Sequence, residues 1–396
     1  MNKYFITLEP LTPFFFGGEN TFGEGKINYF ARSNYLPQQT TLLGMLRHEL
    51  LIQNDLIGTD PKLNDWNSLI GENSFQKLNN QYIDDFGAIK NISPVFLSNG
   101  TEHYTTQALD WAYCEVDNGI KINNCPIKEK IIAPLFVDFE QINDDLSIFN
   151  NTTEPIPVLE ANMRSYDPKY GLVSLWVSND GQTLRQWDYE NPDEFDNTIG
   201  FENGFFIKHV QVGIHRKISK KRDEEGDFYK QVYYKLVDNF MFAFFLDLEL
   251  PAGKKFDSRL ITMAGERSVF QMTVTDANAL SFGSIFTNST FTEKHSRKHD
   301  VLILTSNCLC NGDLLDKCRF SINDEVNFQN LVTQQKIDVN YAAFKKGVIK
   351  SGENLKFLKR GSVLYPKPGK NNDVIKSIQN DALSKIGYNN YLLINK

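Results

Sequence analysis

The sequence has no run of about 18 apolar residues, the length that a helix needs to cross a membrane. Its first stretch, MNKYFITLEP, alternates apolar and polar residues and does not contain the apolar core of a signal peptide. There are only 5 cysteines, an odd number with uneven spacing, which does not suit a disulfide framework. We therefore expect a cytoplasmic protein with reduced thiols and no membrane span.

The motifs that hold common cofactors are also missing. Neither G-x-x-x-x-G-K-[ST] nor G-x-G-x-x-G occurs, so the sequence does not support mononucleotide or dinucleotide binding. Cys308, Cys310 and Cys318 do not have the paired C-x-x-C spacing of a zinc site, and buried structural thiols are the favoured interpretation. His295 and His299 lack a third ligand and are expected in a polar loop. No cofactor and no metal are predicted.

The chain has 396 residues, 41% of them hydrophobic and 23% charged, as in an ordinary globular protein. Its formal net charge is −7, which argues against tight nucleic-acid binding by the chain as a whole. The charge is uneven, however. Residues 341–396 hold 11 Lys and Arg against 3 Asp and Glu, whereas residues 138–203 hold 14 acidic against 3 basic residues. An acidic protein with basic segments can still bind phosphates locally.

The stretch LPQQTTLLGMLRHELL, Leu36 to Leu51, predicts an amphipathic helix whose start is capped by Thr40 or Thr41. Its buried stripe is expected to comprise Leu42, Leu43, Leu46 and Leu50. Arg47 lies at the margin of that stripe, and a cation near a positive helix terminus suits an anion such as phosphate. The alternative is an ordinary capped helix with a surface arginine.

A first strand at Lys3–Leu8 runs into the segment LTPFFFGGEN, which closes on Gly17-Gly18. Paired glycines permit positive φ and a close approach of the backbone to another group. A glycine-bearing loop between a strand and a helix is a common phosphate cradle.

Residues 204–250 predict three strands, of which the first two form a basic hairpin. No acid interrupts Lys208 through Arg222. The strand that follows the turn carries Tyr233 and Tyr234, and strand alternation puts these two rings on opposite faces. Cations beside aromatic rings suit single-stranded nucleic acid, since cations follow phosphates and rings stack on bases. A solvated hairpin tip is an equally good interpretation.

Other segments are shorter. Asn99-Gly100 after a strand at Ile92–Leu97 predicts a tight hairpin. A glycine turn lies at Gly265-Glu266-Arg267. A strand at 361–365, a helix at 373–386 that Gly387 ends, and a last strand at 391–394 complete the chain.

Several of these segments together resemble a known family. The N-terminal LEPLTPFFFGG and LPQQTTLLGMLRHEL, then HVQVGIHRK with GDFYK, MAGERSVF, and RGSVLYPKPG with IGYNNYLL follow the family's order. They are similar to subunit three of the type III-B (Cmr) CRISPR effector complex, a protein of the repeat-associated RAMP superfamily. The family's last glycine-rich loop is reduced here to Ile386-Gly387-Tyr388.

The resemblance implies an α+β fold of two ferredoxin-like (RRM-like) modules with long insertions and a basic β-hairpin. The first module would span residues 1–245, with insertions at 52–90 and 110–200 and the hairpin at 204–238. The second would span residues 246–396. The implied role is non-catalytic: the subunit holds the repeat-derived 5′ tag of the CRISPR RNA (crRNA) and docks the large cyclase/polymerase-like subunit, next to an adjacent backbone RAMP subunit.

The resemblance also implies RNA-binding residues at five places. They are Gly17 and Gly18; Gln38, Thr40, Thr41 and Arg47; Lys208, His209, His215, Arg216 and Lys217; Gly265, Glu266 and Arg267; and Arg360, Gly361 and Ser362.

Two other functions stay open. One is a metal-independent endoribonuclease of the same superfamily, for which His48, His209 or His215 would supply a general base. The other is a protein-only scaffold whose basic C-terminal region binds an acidic neighbour.

Overall fold

The fold is taken from a computed structural model. It describes residues 1–17, 20–21, 28–59, 66–72, 75, 77–78, 81–122, 125–142, 157–161, 164–165, 172–187, 201–202, 204–215, 227–264, 267–292, 299–310, 312–328, 331–338, 343–350 and 355–394. Side chains inside some strands, among them residues 113–131, 214–215, 227–229 and 331–350, are not part of this description.

The helices are α1 Gln39–Gln53, α2 Trp66–Ile70, α3 Phe282–Ile285, α4 Asn288–Thr292, α5 Asn371–Ile378 and α6 Asp381–Lys385. Up to residue 202 the strands are β1 Asn2–Pro10, β2 Asn20–Thr21, β3 Asn28–Arg32, β4 Lys77–Leu78, β5 Gln81–Tyr82, β6 Ile89–Ile92, β7 Phe96–Ser98, β8 His103–Thr106, β9 Trp111–Ile122, β10 Cys125–Ile142, β11 Pro157–Ala161, β12 Arg164–Ser165, β13 Leu175–Ser178, β14 Leu184–Gln186 and β15 Phe201–Glu202. After it they are β16 Phe206–His215, β17 Asp227–Leu236, β18 Met241–Leu248, β19 Arg259–Met263, β20 Ser268–Asp276, β21 Val301–Leu304, β22 Cys318–Ile322, β23 Glu325–Phe328, β24 Leu331–Asp338, β25 Ala343–Lys350, β26 Leu355–Leu358, β27 Val363–Pro366 and β28 Tyr391–Ile394. The fold is α+β and consists mainly of strands. No helix in the described part of the chain is long and apolar enough to span a membrane.

A large sheet organises the N-terminal two thirds of the chain. Its order is β15-β14-β13-β8-β7-β18-β1-β20-β19, and β6 also pairs with β18. Because side chains alternate along a strand, β1 contributes Ile6 and Leu8 to one face and Phe5 to the other. The first face packs against α1, and the second packs against Phe286 just after α3.

Helix α1 buries the leucine stripe that the sequence predicts. Leu42, Leu46 and Leu50 are 0% exposed, and each such burial stabilises the fold by about 1.5–3 kcal/mol. The cap, however, differs from the prediction. The helix begins at Gln39, its N-cap residue is Gln38, and no side chain caps it. Thr40 and Thr41 therefore lie inside the first turn.

A second sheet has the order β22-β27-β21-β28. One face packs on α5, and the other packs against β13 and the β9–β10 pair, so the two sheets are joined by a shared apolar layer. In a ferredoxin-like module the βαβ units are split, so each crossover joins strands that are not neighbours, and neighbouring strands are antiparallel. The antiparallel pairing of β21 with β27 agrees with such a module, but the described chain between β21 and β22 contains a three-residue 3-10 helix, Leu315–Lys317, in place of an α-helix. Two ferredoxin-like modules thus stay a prediction.

The predicted domain boundary at residues 245 and 246 falls inside β18. This strand pairs along its length with β1, from Leu8↔Phe242 to Asn2↔Leu248. The hairpin of β19 and β20 that follows pairs with β1 from the other side. The strand pairing therefore places the end of β18, β19 and β20 in the same sheet as the N-terminal strand, and the division into two modules stays a prediction.

Candidate nucleic-acid interface

The predicted basic hairpin and the N-terminal loop meet in one small sheet. β16 and β17 pair antiparallel from Phe206↔Leu236 to His215↔Asp227. β17 pairs in parallel with β3, and β3 pairs with β2, which gives the order β16-β17-β3-β2. We call this four-stranded unit the hairpin sheet. The hairpin sheet joins the basic hairpin to the N-terminal segment at residues 20–32, which lies far from it in the sequence.

The aromatic–glycine loop is hydrogen-bonded to the hairpin sheet. The Phe14 N–H donates to the Tyr234 carbonyl at 2.8 Å, and the Tyr234 N–H donates to the Phe14 carbonyl at 3.1 Å. Three residues later, the Gly17 carbonyl accepts from the Asn34 N–H at 3.1 Å. Gly17 has φ +67, a left-handed conformation that favours glycine. The loop thus forms a continuous surface with β17 and β3.

One face of the hairpin sheet carries Tyr233 and, directly opposite it on β16, His209. His209 is exposed, whereas Tyr233 is half-buried. The Tyr233 ring lies 5.3 Å from that of Phe15, and its hydroxyl donates to Gln231 Oε1 at 3.1 Å. Tyr233 therefore combines a protein contact with partial exposure.

The other face is buried near the large sheet and open further along the strands. Tyr234 is 0% exposed, and the Arg32 Nε donates to its hydroxyl at 2.6 Å. Lys208, opposite Tyr234, is half-buried. Further along, the Lys230 ammonium lies 6.0 Å from the centre of the Phe30 ring, which is 37% exposed. Tyr233 and Tyr234 thus face opposite sides, as predicted.

The glycine turn before β20 lies beside the same loop. Arg267 is exposed and has φ +52, and its N–H donates to the Ala264 carbonyl at 3.1 Å. The Leu11 N–H donates to the Val269 carbonyl at 3.0 Å, and the rings of Phe16 and Phe270 stack 6.0 Å apart. The structure therefore brings together three of the five predicted places: the loop, the hairpin and this turn.

Some predicted residues lie outside the described part of the chain. They are Gly18, Arg216, Lys217, Gly265, Glu266 and the side chain of His215, whose backbone belongs to β16.

The start of α1 is covered in part by the C-terminal segment. Gln38, Thr40 and Thr41 are half-buried. Gly387 has φ +89 and contacts the Gln39 side chain, and a Cβ atom at Gly387 would lie 2.7 Å from the Ser93 carbonyl oxygen. The reduced loop at residues 386–388 thus closes against the helix start.

Tyr388 and Arg360 are buried near each other under this helix start. Burial raises the pKa of the Tyr388 hydroxyl to about 12, while Thr40 and the Arg360 guanidinium act in the opposite direction. Burial lowers the pKa of Arg360 to about 10. Burial thus disfavours the charged form of both groups, and at neutral pH the Tyr388 hydroxyl is neutral while Arg360 keeps its charge.

The Arg360-Gly361-Ser362 turn is part of the interior. Arg360 is 8% exposed, and its guanidinium donates to the Val95 carbonyl at 2.8 Å. Gly361 has φ +86, and a Cβ atom there would lie 2.7 Å from the Gln107 carbonyl oxygen. Ser362 is 0% exposed and donates to the Lys359 carbonyl at 2.6 Å. Their observed contacts connect the two sheets, and RNA binding by them stays a prediction that this burial does not favour.

Arg47 also contacts protein. Its guanidinium carbon lies 5.6 Å from the centre of the Phe86 ring, and it donates to the Asp85 carbonyl at 3.4 Å. Burial lowers the pKa of Arg47 to about 10, and the Asp85 carboxylate opposes that shift. It is half-buried rather than extended into solvent.

His48, a candidate base from the sequence, has a charged neighbour. Its Nδ1 lies 3.6 Å from Glu49 Oε1, and the Arg259 Nε lies 3.4 Å from Glu49 Oε2. His48 is exposed, whereas the Glu49 side chain is 4% exposed. A histidine, a buried carboxylate and a cation thus lie side by side on α1 and β19.

Phe30, Arg32 and Lys230 also lie on the hairpin sheet and were not predicted as candidate binding residues. The short run NYFAR at Asn28–Arg32 is a strand in which an aromatic and a basic residue alternate onto one face. That alternation could have identified Phe30 and Arg32 as neighbours on one face of a strand. It could not have shown that this strand, β3, pairs with β17.

Comparison with known families gives the class of the protein. A family model described as "CRISPR-associated protein (Cas_Cmr3)" matches residues 6–396. Because the match covers nearly the whole chain, the chain belongs to the Cas_Cmr3 family of CRISPR-associated proteins. The predicted resemblance to subunit three of the type III-B complex is thereby confirmed. Curated proteins give no match.

Solved structures show more distant similarity. A chain in the "Cryo-EM structure of the Type III-B Cmr-beta bound to cognate target RNA" matches at 15% identity and a TM-score of 0.44, with 99% of both chains covered. A second Cmr-beta structure, with AMPPnP in state 1, matches at 15% identity and a TM-score of 0.43, again with 99% of both chains covered. A chain of the "Csm3-Csm4 subcomplex in the type III-A CRISPR-Cas interference complex" matches at 10% identity and a TM-score of 0.32, covering 92% of this chain and 93% of the other.

Proposed function

We propose that this chain is a non-catalytic RNA-binding subunit of a type III-B CRISPR effector complex. In this proposal it holds the repeat-derived 5′ tag of the crRNA, and it docks the large cyclase/polymerase-like subunit and an adjacent backbone RAMP subunit. The family supports the CRISPR context. The observation that carries the RNA role is the hairpin sheet, in which the aromatic–glycine loop and the basic hairpin are hydrogen-bonded into one surface.

The surface has the chemistry that single-stranded RNA requires. Exposed His209 and Lys230 lie on opposite faces, and Arg267 is exposed beside the loop. Cations such as Lys230 and Arg267 follow phosphates, while partly exposed rings such as Phe30 and Tyr233 offer stacking area for bases. Gly17 leaves room for a close approach, since a Cβ atom there would meet nothing within 4 Å.

The test is the salt dependence of crRNA retention in the assembled complex. A variant with Lys208, Arg216 and Lys217 changed to Ala removes three cations from the hairpin. Each lost single-stranded phosphate contact flattens the slope of log K against log[salt] by about 0.7, so we expect a change of about 2. Binding weakens for all tag sequences alike, because phosphates carry no base information.

The control removes the same charge elsewhere. Lys255, Lys356 and Lys376 are exposed and lie outside the hairpin sheet. Changing all three to Ala alters the net charge equally and should leave the slope unchanged. An unchanged slope in the hairpin variant would reject the hairpin as an RNA-binding element, and equal changes in both variants would indicate only a general charge effect.

One observation favours the endoribonuclease alternative: the His48, Glu49 and Arg259 side chains lie next to one another. Metal-independent RNA cleavage uses a base at the 2′-OH and a cation at the phosphate. The discriminating experiment incubates the purified chain with repeat RNA in EDTA. Site-specific cleavage that the His48→Ala change abolishes would establish this alternative, and the absence of cleavage agrees with the non-catalytic proposal.

A further inference from the structure

Among the residues that the structure describes, no strand pairs with the outer edge of β16, the outer strand of the hairpin sheet. It is the terminal strand in the order β16-β17-β3-β2, and it is ten residues long. At the other end, β2 has only two residues. Exposed N–H and C=O groups on an edge strand can pair with other strands. Natural sheets therefore usually keep their edge strands short, or give them proline or charged side chains.

The hydrogen bonds at the base of the hairpin show which residues face this open edge. Tyr234 uses both its N–H and its C=O toward Phe14, away from β16, so the pair Lys208↔Tyr234 is a non-hydrogen-bonded one. The Phe206 N–H likewise points outward, donating to the Trp187 carbonyl at 3.2 Å. Since outward-facing residues alternate, Val210 and Val212 direct their backbone groups to the open edge, whereas Gln211 pairs with Gln231.

The side chains along this edge also suit pairing. Val212 is 67% exposed, Val210 is 43% exposed and Ile207 is 38% exposed. β-Branched residues of this kind favour strands and pack well on a neighbouring strand. The strand FIKHVQVGIH contains no proline, and its lysine, Lys208, is half-buried at the base of the hairpin, so the part of the edge at Val210 and Val212 carries neither proline nor charge.

We propose that β16 receives an extended segment of a neighbouring protein subunit, which adds a fifth strand to the hairpin sheet beside Val210 and Val212. Main-chain hydrogen bonds give the affinity in this kind of pairing, and alternate side chains give the selectivity. Charge specifies the partner. Because no acid interrupts Lys208 through Arg222, the complementary segment alternates apolar residues with Asp or Glu. The inference does not depend on RNA binding, which uses the faces of the sheet rather than its edge.

The first test is amide hydrogen exchange of the isolated full chain and of the assembled complex. The Val210 and Val212 amides should exchange rapidly in the isolated chain and slow by at least about tenfold on assembly, while the Gln211 amide is slow in both. This two-residue alternation is specific to strand addition. Unchanged exchange at Val210 and Val212 overturns the proposal.

The second test uses variants at one position. Val212→Pro removes only the outward N–H, and proline is tolerated on edge strands when its nitrogen faces solvent. Val212→Ala keeps the N–H and is the matched control. We expect Val212→Pro to weaken association with the other subunits by about tenfold or more, Val212→Ala to weaken it by much less, and both to keep the melting temperature of the isolated chain.

Three results would show that the outer edge of β16 pairs with something other than a neighbouring subunit, or with nothing, and each overturns the proposal. Equal losses in both variants mean that only the side chain matters. Slowed exchange at Val210 and Val212 that RNase digestion reverses, with the subunits still associated, assigns the edge to RNA. Slowed exchange that rises with the concentration of the isolated chain assigns it to a second copy of this chain.

Discussion

A substitution at Gly387 tests whether the C-terminal segment closes against the start of α1. Gly387 has φ +89 and is buried between the Gln39 side chain and the Ser93 carbonyl. The Gln39 Nε2 donates to that same carbonyl at 2.9 Å, so the glycine lies against a hydrogen bond between the helix start and the large sheet. Gly387→Ala forces a methyl group into this contact.

The expected cost has two parts. An L-residue in the left-handed region loses about 1–2 kcal/mol. The new Cβ would also lie 2.7 Å from the Ser93 oxygen, closer than a carbon and an oxygen can approach without movement of the backbone. Overpacking of this kind costs about 1–3 kcal/mol. The free energy of unfolding should therefore fall by about 2–5 kcal/mol.

Gly369→Ala is the matched control, because Gly369 has φ +75 and a Cβ atom there would meet nothing within 4 Å. It carries the conformational cost alone, offset in part by a gain of about 0.4–1 kcal/mol from the unfolded chain. Urea denaturation of the full chain measures both variants. Equal losses at the two positions would refute the close packing of residues 386–388 on the helix start.

Three further predictions concern single side chains. Leu46→Ala should lower the free energy of unfolding by about 2–5 kcal/mol, because Leu46 is 0% exposed. Arg47→Ala should cost less, about 0.5–2 kcal/mol for the contact with the Phe86 ring, because its other contact, with the Asp85 carbonyl, is a long hydrogen bond of 3.4 Å. Equal shifts in thermal unfolding would contradict this ranking. Burial raises the pKa of the Cys318 thiol to about 12, so the folded state keeps a proton that the unfolded state loses above pH 9. The free energy of unfolding should therefore fall as pH rises from about 9 to 12. In Cys318→Ala this fall should be smaller, and a fall equal to that of the wild type would show that the Cys318 thiol does not cause it. If the Tyr233 ring stacks on a base, Tyr233→Leu should weaken crRNA retention by about 1–3 kcal/mol without altering the salt slope. Phe30→Leu is the comparison on the opposite face of the sheet. Weaker retention in Phe30→Leu alone would mean that the base stacks on β3 instead.

The elements that local sequence determines were predictable. The period of 3.6 in LLGMLRHELL identified α1 and its buried leucines, and Asn99-Gly100 identified the turn between β7 and β8, where Gly100 has φ +95. The alternation of Tyr233 and Tyr234 was sufficient to place them on opposite faces. In each case a short-range pattern decides the structure, and tertiary packing only strengthens it.

Long-range pairing was not predictable from the same patterns. The strand β18 looked like the end of a first module, yet it lies between β7 and β1 in the interior of the sheet. Nothing local in MFAFFLDL states that the hairpin of β19 and β20 will pair with β1 as well. The predicted cap by Thr40 or Thr41 is not formed, and the residues that contact the helix start come from positions 386–388 at the far end of the chain.

Arg47 and Arg360 were predicted to bind RNA together with the hairpin cations, because a cation beside a glycine or a helix start has the same local sequence whether it is buried or exposed. Burial separates them. Arg360 is 8% exposed and its guanidinium donates to a carbonyl oxygen, while Lys230 on the hairpin sheet and Arg267 beside the loop are exposed. A phosphate chain reaches exposed cations without displacing protein contacts, whereas contact with Arg360 would require the 386–388 segment or its neighbours to move. The RNA interface that we propose therefore centres on the hairpin sheet and the aromatic–glycine loop. The glycine turn at 361 instead contacts protein on both sides, since the Gly361 N–H donates to the Leu304 carbonyl at 2.6 Å and the Gly361 carbonyl accepts from the Leu109 N–H at 2.8 Å.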